Sequence, residues 1–288
     1  GSIGSIVWSQ NNFYPIDTTY FVLLSHKDSL KYFFYKLTSL DLKRLNTASG
    51  VPGLNREEVY KQKILLPPLP EQQKIAEILG AVDEDIEKTD AVIAETEKLK
   101  KGLMQELFAF KNSKEKKISD IFEIGRGRVI SKKEIQANPG PYPVYSSQTS
   151  NNGEFGKLNT YDFDGEYLTW TTDGIYAGAV FYRNGKFNCT NVCGTLKPKV
   201  DMDIRYFSYI LPVCVEKYVV RTANPKLMNN IVASIAVPFL SLEKQKQISE
   251  ILSAVDDKIF ANKNLKSKLL ELKKGLMGDL LSGRVRVK

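Results

Sequence analysis

The chain has three cysteines, one histidine and two tryptophans in 288 residues. So small and odd a cysteine number supplies no disulfide framework and points to a reducing compartment. A single histidine, His26, removes most metal-ligand sets and most acid–base pairings. Cys189, Cys193 and Cys214 lack any Cys-x-x-Cys spacing, so they read as buried thiols rather than zinc ligands. No Gly-x-x-x-x-Gly-Lys-Ser/Thr loop occurs, which assigns ATP-driven work to some other chain. Long apolar runs are missing too. Stretches such as Ile64 to Leu66 fall far short of the roughly 18 to 20 residues of a membrane span, and no basic-then-apolar leader is visible. The expectation is a cytoplasmic protein with no membrane partner.

Charge of one sign is in excess. Lysine plus arginine number 41 against 33 acidic residues, giving +8 and a pI near 9.1, which points toward polyanionic partners. With 42% apolar and 26% charged residues the composition is that of a globular protein, and 32.5 kDa suits about two domains. An internal repeat refines that number. Gln72-Gln73-Lys74-Ile75-Ala76-Glu77-Ile78-Leu79 returns 173 residues later as Gln245-Lys246-Gln247-Ile248-Ser249-Glu250-Ile251-Leu252, and the match continues to Ile86 and Ile259. Lys100-Lys101-Gly102-Leu103-Met104 and Lys273-Lys274-Gly275-Leu276-Met277 hold the same register. Upstream, Tyr32-Phe33 aligns with Tyr206-Phe207 and Gly4 with Gly178 at an offset of 174, so Gly1 corresponds to Ile175. About 60 residues of the second unit, which starts near Lys114, have no counterpart in the first. The chain therefore reads as a complete unit, 111–288, preceded by an amputated one.

Texture changes once within each unit. Residues 115–240 carry short strand-like runs broken by turns, and Asn184-Gly185, flanked by aromatics, reads as a hairpin turn. In the repeated segments Leu79, Val82, Ile86, Thr89, Ile93 and Thr96 step by three and four, matched by Leu252, Val255, Ile259, Asn262, Lys266 and Leu269, as on long amphipathic helices. From Glu71 to Leu107 ten acidic and five basic residues give −5; from Glu243 to Leu281 six and eight give +2. Opposite charge and matching seams favour antiparallel packing of the two helices. A bundle inside a larger core is the plainer alternative. The seam residues Ile75, Leu79, Val82 and Ile86, with Ile248, Leu252, Val255 and Ile259, are also candidates for docking a partner protein.

These motifs carry a resemblance. Leu66-Pro67-Pro68-Leu69-Pro70-Glu71-Gln72-Gln73 leading into a helix, its weaker echo from Val237 to Ile248, and the twin Lys-Lys-Gly-Leu-Met tails resemble the specificity subunits of type I restriction-modification systems. Ile118-Ser119-Asp120-Ile121-Phe122 is similar to the opening of a recognition domain in that family, and Gly1-Ser2-Ile3-Gly4 to a turn in the middle of one. The resemblance covers essentially the whole chain. It implies an α+β fold in which strand-rich target-recognition domains alternate with long helices that pair as an antiparallel, coiled-coil-like spacer. The expected divisions are 1–66, a truncated recognition domain; 67–110, a spacer helix; 111–240, a complete recognition domain; and 241–288, a second spacer helix with a basic tail. It further implies a non-catalytic subunit that reads a bipartite target in double-stranded DNA and recruits methyltransferase (modification) subunits and a restriction/translocase subunit. No cofactor is expected on this chain; S-adenosylmethionine, and ATP with Mg in the full complex, would belong to those partners. A homodimer restoring two readers is one assembly such a chain can form.

Residues suited to DNA follow. From Lys111 to Lys133 eight basic and three acidic residues give +5, and Arg126, Arg128, Lys132 and Lys133 are the candidates for phosphate contacts, against a solvated linker for Lys111 to Lys117. Tyr145, Ser146, Ser147, Gln148, Thr149, Ser150, Asn151 and Asn152 form a run dense in uncharged donors and acceptors, the chemistry of base-edge reading or of an ordinary polar turn. Thr171, Thr172, Asp173 and Tyr176 make a second such loop. Arg221, Asn224 and Lys226 make a third, echoed by Thr47 to Gly53. Asn138-Pro139-Gly140-Pro141-Tyr142 superficially resembles an adenine-methyltransferase motif, but Gly140 alters the turn and no glycine-rich cofactor loop accompanies it. Two rival readings stand beside DNA recognition: a stand-alone methyltransferase or nuclease, and a non-specific coiled-coil adaptor.

Overall fold

The computed structural model describes residues 3–24, 27–46, 53–110 and 113–287. His26, the first two residues of the N-terminal turn, Thr47 to Pro52 of the echo loop and Lys111 lie outside them. Two compact units are formed, Gly1–Thr96 with Lys258–Lys288, and Glu97–Asp257.

In the first unit α1 (Leu30–Thr38) starts where the Ser29 hydroxyl accepts from the Tyr32 backbone N–H, satisfying one of the helix's free donors. A short α2 (Arg56–Tyr60) is capped in the same way by Asn55. The long α3 (Leu69–Leu107) begins among Pro67, Pro68 and Pro70, residues tolerated only in a first turn. Tyr32 and Tyr35 pack fully buried against Ile75, Ala76 and Leu79, with Leu280 and Leu281 closing the cluster. Buried Gln72 accepts from Ser29 N at 2.9 Å and donates to Asp28 Oδ1 at 2.7 Å, fixing α1 against α3. Residues 5–24 hold neither helix nor strand.

The second unit runs β1 (Glu115–Lys117), α4 (Ile118–Ile121), β2 (Phe122–Arg126), α5 (Lys132–Ala137), β3 (Tyr142–Tyr145), β4 (Glu154–Leu158), β5 (Glu166–Thr171), β6 (Val180–Asn184), β7 (Asn188–Cys189), β8 (Cys193–Pro198), α6 (Ile204–Val215), α7 (Asn229–Ser234), β9 (Ala236–Pro238) and the start of α8 (Leu242–Leu280). A four-stranded antiparallel sheet has the order β2-β8-β5-β6, a three-stranded sheet the order β4-β3-β7, and β1 pairs with β9. The core lies between the larger sheet and α6, where Trp170, Phe122, Leu196 and Phe207 are buried. Gly194 lets the Trp170 ring lie flat on β8, and the indole N–H donates to Leu227 O at 3.0 Å. The hairpin expected at Asn184-Gly185 is not formed. β6 pairs with β5 instead, and Gly185, at φ 90°, exchanges backbone hydrogen bonds with Gly165 and turns the chain toward the second sheet.

In the first unit α3 and α8 run antiparallel, since partner numbers rise on one helix as they fall on the other. Asp83 pairs with Lys273 at 2.5 Å and Asp90 with Lys266 at 2.6 Å in the first unit, and Lys100 with Asp256 at 2.6 Å in the second. The repeat extends to these contacts. Tyr35 donates to Asp83 at 2.7 Å beside Lys273, and Tyr209 donates to Asp256 at 2.9 Å beside Lys100. The seam threonines Thr89 and Thr96 are buried and donate to the carbonyls of Asp85 and Val92 one turn back, so they need no partner across the seam. Ile75, Leu79, Val82, Ile248, Leu252 and Ile259 are buried within the chain, and Ile86 and Val255 half-buried. The expectation that these seam residues dock a partner is corrected accordingly, because internal packing consumes them. The apolar side chains left outward on α8 include Phe260, Leu265, Leu270 and Leu272.

Candidate nucleic-acid interface

Three of the loops singled out in the sequence converge on one carboxylate. Asp173 follows β5, receives a hydrogen bond from Thr172 Oγ1 at 2.5 Å, and lies 3.6 Å from Arg126 Nη2 and 3.7 Å from Lys226 Nζ. The backbone draws the same loops together: Gly174 N donates to Pro225 O and Leu227 N to Thr172 O, both at 2.9 Å. Arg126 also donates to Asn191 O at 2.5 Å, which ties the end of β2 to the turn before β8. That turn holds the fourth loop, because Thr190 N donates to Tyr145 O at 2.8 Å and Thr190 Oγ1 to Ser146 Oγ at 3.0 Å.

The loop from Ser146 to Gly153 closes on itself. Ser146 N donates to Gly153 O at 3.0 Å and the Gln148 amide to Glu154 O. Asn151 and Asn152 take left-handed backbone, at φ 48° and 52°, which asparagine tolerates better than most residues and which leaves both side chains exposed. Tyr145 to Thr149 are half-buried and Ser150 is exposed. The loop thus offers amides and hydroxyls to solvent from a backbone that is already ordered.

The basic candidates divide by what they already hold. Lys132 and Lys133 are exposed in the first turn of α5 and have no ion-pair partner among the described residues. Arg128 is exposed yet donates to Glu134 at 2.7 Å and to Asp162 at 3.0 Å, and these carboxylates raise its pKa further. Arg221 is paired with Glu216. Asn224 and Lys226 are exposed, as is Tyr176. Thr171 and Thr172 correct the sequence reading: one closes β5, the other follows it, and both are fully buried, so neither faces a ligand.

Arg183 on β6 escaped the sequence reading. It is buried with no carboxylate beside it among the described residues, stacks 3.5 Å from the centre of the Tyr145 ring, and donates to Thr169 at 3.1 Å. Burial pushes its pKa down and that of Tyr145 up. Alternation along Val180 to Asn184 places Arg183 on the same face as Phe181, the one signal that it points inward. Cys189 and Cys193 are buried in the aromatic cluster of Tyr167 and Phe187, and Cys214 is half-buried. Among the described residues no group of histidine, cysteine or carboxylate side chains is placed to hold a metal ion.

The chain is similar to known proteins. Residues 1–97 and 111–271 match the family model described as type I restriction modification DNA specificity domain. A type I specificity subunit of Mycoplasma pneumoniae is 38% identical over 226 residues, covering 74% of this chain and 82% of its own. The specificity subunit of the type I restriction enzyme MpnII from the same organism is 48% identical over 141 residues, 48% of this chain and 42% of its own length. In fold the chain is similar to the S subunit of the M. genitalium type I restriction-modification system, with a TM-score of 0.66 at 19% identity over 87% of this chain and 72% of that one.

Proposed function

This chain belongs to the type I restriction modification DNA specificity family, and from that membership we propose that its second unit reads duplex DNA with the loops gathered around Asp173 and with the Ser146 to Asn152 loop. It is a DNA-recognition subunit of a type I system and not itself the catalyst. The observation that carries the reading is the convergence of four sequence-distant loops, rich in amides, hydroxyls and cations, on one side of the second unit. Lys132 and Lys133 would neutralise phosphate, whereas Gln148, Asn151 and Asn152 have the donor–acceptor pairs that suit an adenine edge. Asp173 holds Arg126 and Lys226 in place rather than facing the anionic duplex itself.

Its partners are DNA and the methyltransferase and restriction subunits of the system. S-adenosylmethionine would sit on the methyltransferase partner, which would extrude the target base to reach it, and ATP with Mg on the restriction partner. Leu265 and Leu272, seven residues apart on one face of α8 and both half-exposed, are an apolar surface available for docking such a subunit, in place of the buried seam. A second copy of the chain is the finer assembly option.

The test is co-purification with the neighbouring modification subunit, mass measurement, and methylome sequencing of cells expressing both. Methylation confined to one sequence motif is expected. Methyl transfer by the purified chain alone, or equal affinity for all duplexes, would overturn the reading in favour of an enzyme or an adaptor respectively.

A further inference from the structure

The loop from Ser146 to Gly153 joins β3 to β4 in the smaller sheet, where the pairing of the two strands shifts register between Val144 and Tyr145. Arg183 meets it from β6, an edge strand of the larger sheet, and touches both of its ends. At the first end the guanidinium lies 3.5 Å from the centre of the Tyr145 ring. At the other, Nη2 is 3.0 Å from the place that a Cβ on Gly153 would take, a place also 3.2 Å from Gln148 O and 3.7 Å from Ser146 O. Glycine there, at φ 80°, leaves that space to the guanidinium. Nε is held by Thr169, and Nη1 has no hydrogen-bond partner among the described residues. A cation only 3% exposed, with no carboxylate beside it among the described residues, is costly to bury. Stability alone does not account for it, since an apolar side chain of similar volume in place of a buried charge is often neutral or stabilising. Nor does direct contact with DNA, because so buried a guanidinium is closed off from phosphate.

We propose that Arg183 is a positioning residue for base reading: its planar guanidinium spans the two ends of the Ser146 to Gly153 loop and sets the angle at which Gln148, Asn151 and Asn152 are presented to base edges. The inference rests on the reading of that loop as a DNA reader. Plane and fork matter more here than charge. A lysine has no face to lay on Tyr145 and no second nitrogen to reach Gly153 while Nε holds Thr169. Without Arg183 the loop keeps its amides and hydroxyls and loses their fixed placement. Sequence discrimination then falls, while the phosphate contacts of Lys132 and Lys133 persist.

The test titrates the chain, co-purified with its modification subunit, with a duplex carrying the motif found by methylome sequencing and with duplexes changed at one base pair, at several salt concentrations. Arg183→Met should lower the affinity ratio between motif and changed duplex by about tenfold, with the slope of log affinity against log salt unchanged. Its urea unfolding midpoint should stay level or rise. Arg183→Lys should lose discrimination to a similar extent. Gly153→Ala leaves Arg183 in place and sets a methyl group against Nη2 and Gln148 O, so it should reproduce the loss, and it carries the test where Arg183→Met proves unstable. An unchanged ratio in Arg183→Met or Gly153→Ala, or full discrimination by Arg183→Lys, would overturn the proposal while the wild type still discriminates. A wild-type complex that binds all duplexes equally would overturn the reading of the loop, and this inference with it.

Discussion

Lys132 and Lys133 differ from Arg128 in what binding DNA would cost them. Among the described residues the two lysines hold no carboxylate, Lys132 only resting 5.9 Å from the centre of the Phe155 ring, while Arg128 would have to leave Glu134 and Asp162 before it could meet a phosphate. Each of Lys132→Ala and Lys133→Ala should therefore lower the slope of log affinity against log salt by about 1, and Arg128→Ala by much less, measured by duplex titration at several salt concentrations. Gln148→Ala should act in the opposite sense, losing roughly 1–3 kcal/mol of discrimination between duplexes with the salt slope intact. A third residue-scale expectation concerns Glu71, which takes two hydrogen bonds from Arg286, at 2.6 and 2.5 Å, and one from Val287 N. Pairing with Arg286 holds its carboxyl below the usual carboxylate range. A folded-state value that is lowered gives stabilisation present above the ordinary carboxylate pKa and lost as pH falls through the folded value. The segment from Arg284 to Val287 should then gain amide exchange in acid beyond the intrinsic pH trend, and Arg286→Ala should remove that dependence.

The elements were legible in the sequence to the extent that their signals are local. Period-3.6 seams and the proline-rich entry located α3 and α8, and opposite charge foretold that they pair. Strand partners were not legible, because β2 meets β8 across some seventy residues and no local pattern names such a partner. Asn184-Gly185 illustrates the limit: its φ is that of a hairpin glycine, but the residues after it leave the free edge of β6 to meet Phe163 and β3. The candidate loops were legible as composition, and their meeting at Asp173 was not. Nor was the burial of Thr171 and Thr172, which depends on neighbours distant in sequence, Cys193 beside Thr171 on β8 and Leu227, whose N–H donates to Thr172 O. Close packing at Gly194 offers a test at this scale. A Cβ there would fall 2.1 Å from the Trp170 ring, so Gly194→Ala should destabilise the second unit by about 1–3 kcal/mol in urea unfolding, and Trp170→Leu in the same background should recover part of it.

Across the whole molecule the net +8 is unevenly spread, with −5 on the segment of α3 and +5 between Lys111 and Lys133. Two of the α3 carboxylates, Asp83 and Asp90, are met by Lys273 and Lys266 of α8, while the excess of positive charge lies elsewhere, the recognition loops included. Each compact unit closes its own copy of one arrangement, Tyr35 with Asp83 and Lys273, and Tyr209 with Asp256 and Lys100. The ion pairs are partly solvated and worth little, but each tyrosine hydroxyl is worth about 1 kcal/mol. Two units with separate cores need not unfold together. Tyr35→Phe should lower one calorimetric transition and Tyr209→Phe the other, so the repeated triad turns a heating curve into a record of which unit a substitution has touched.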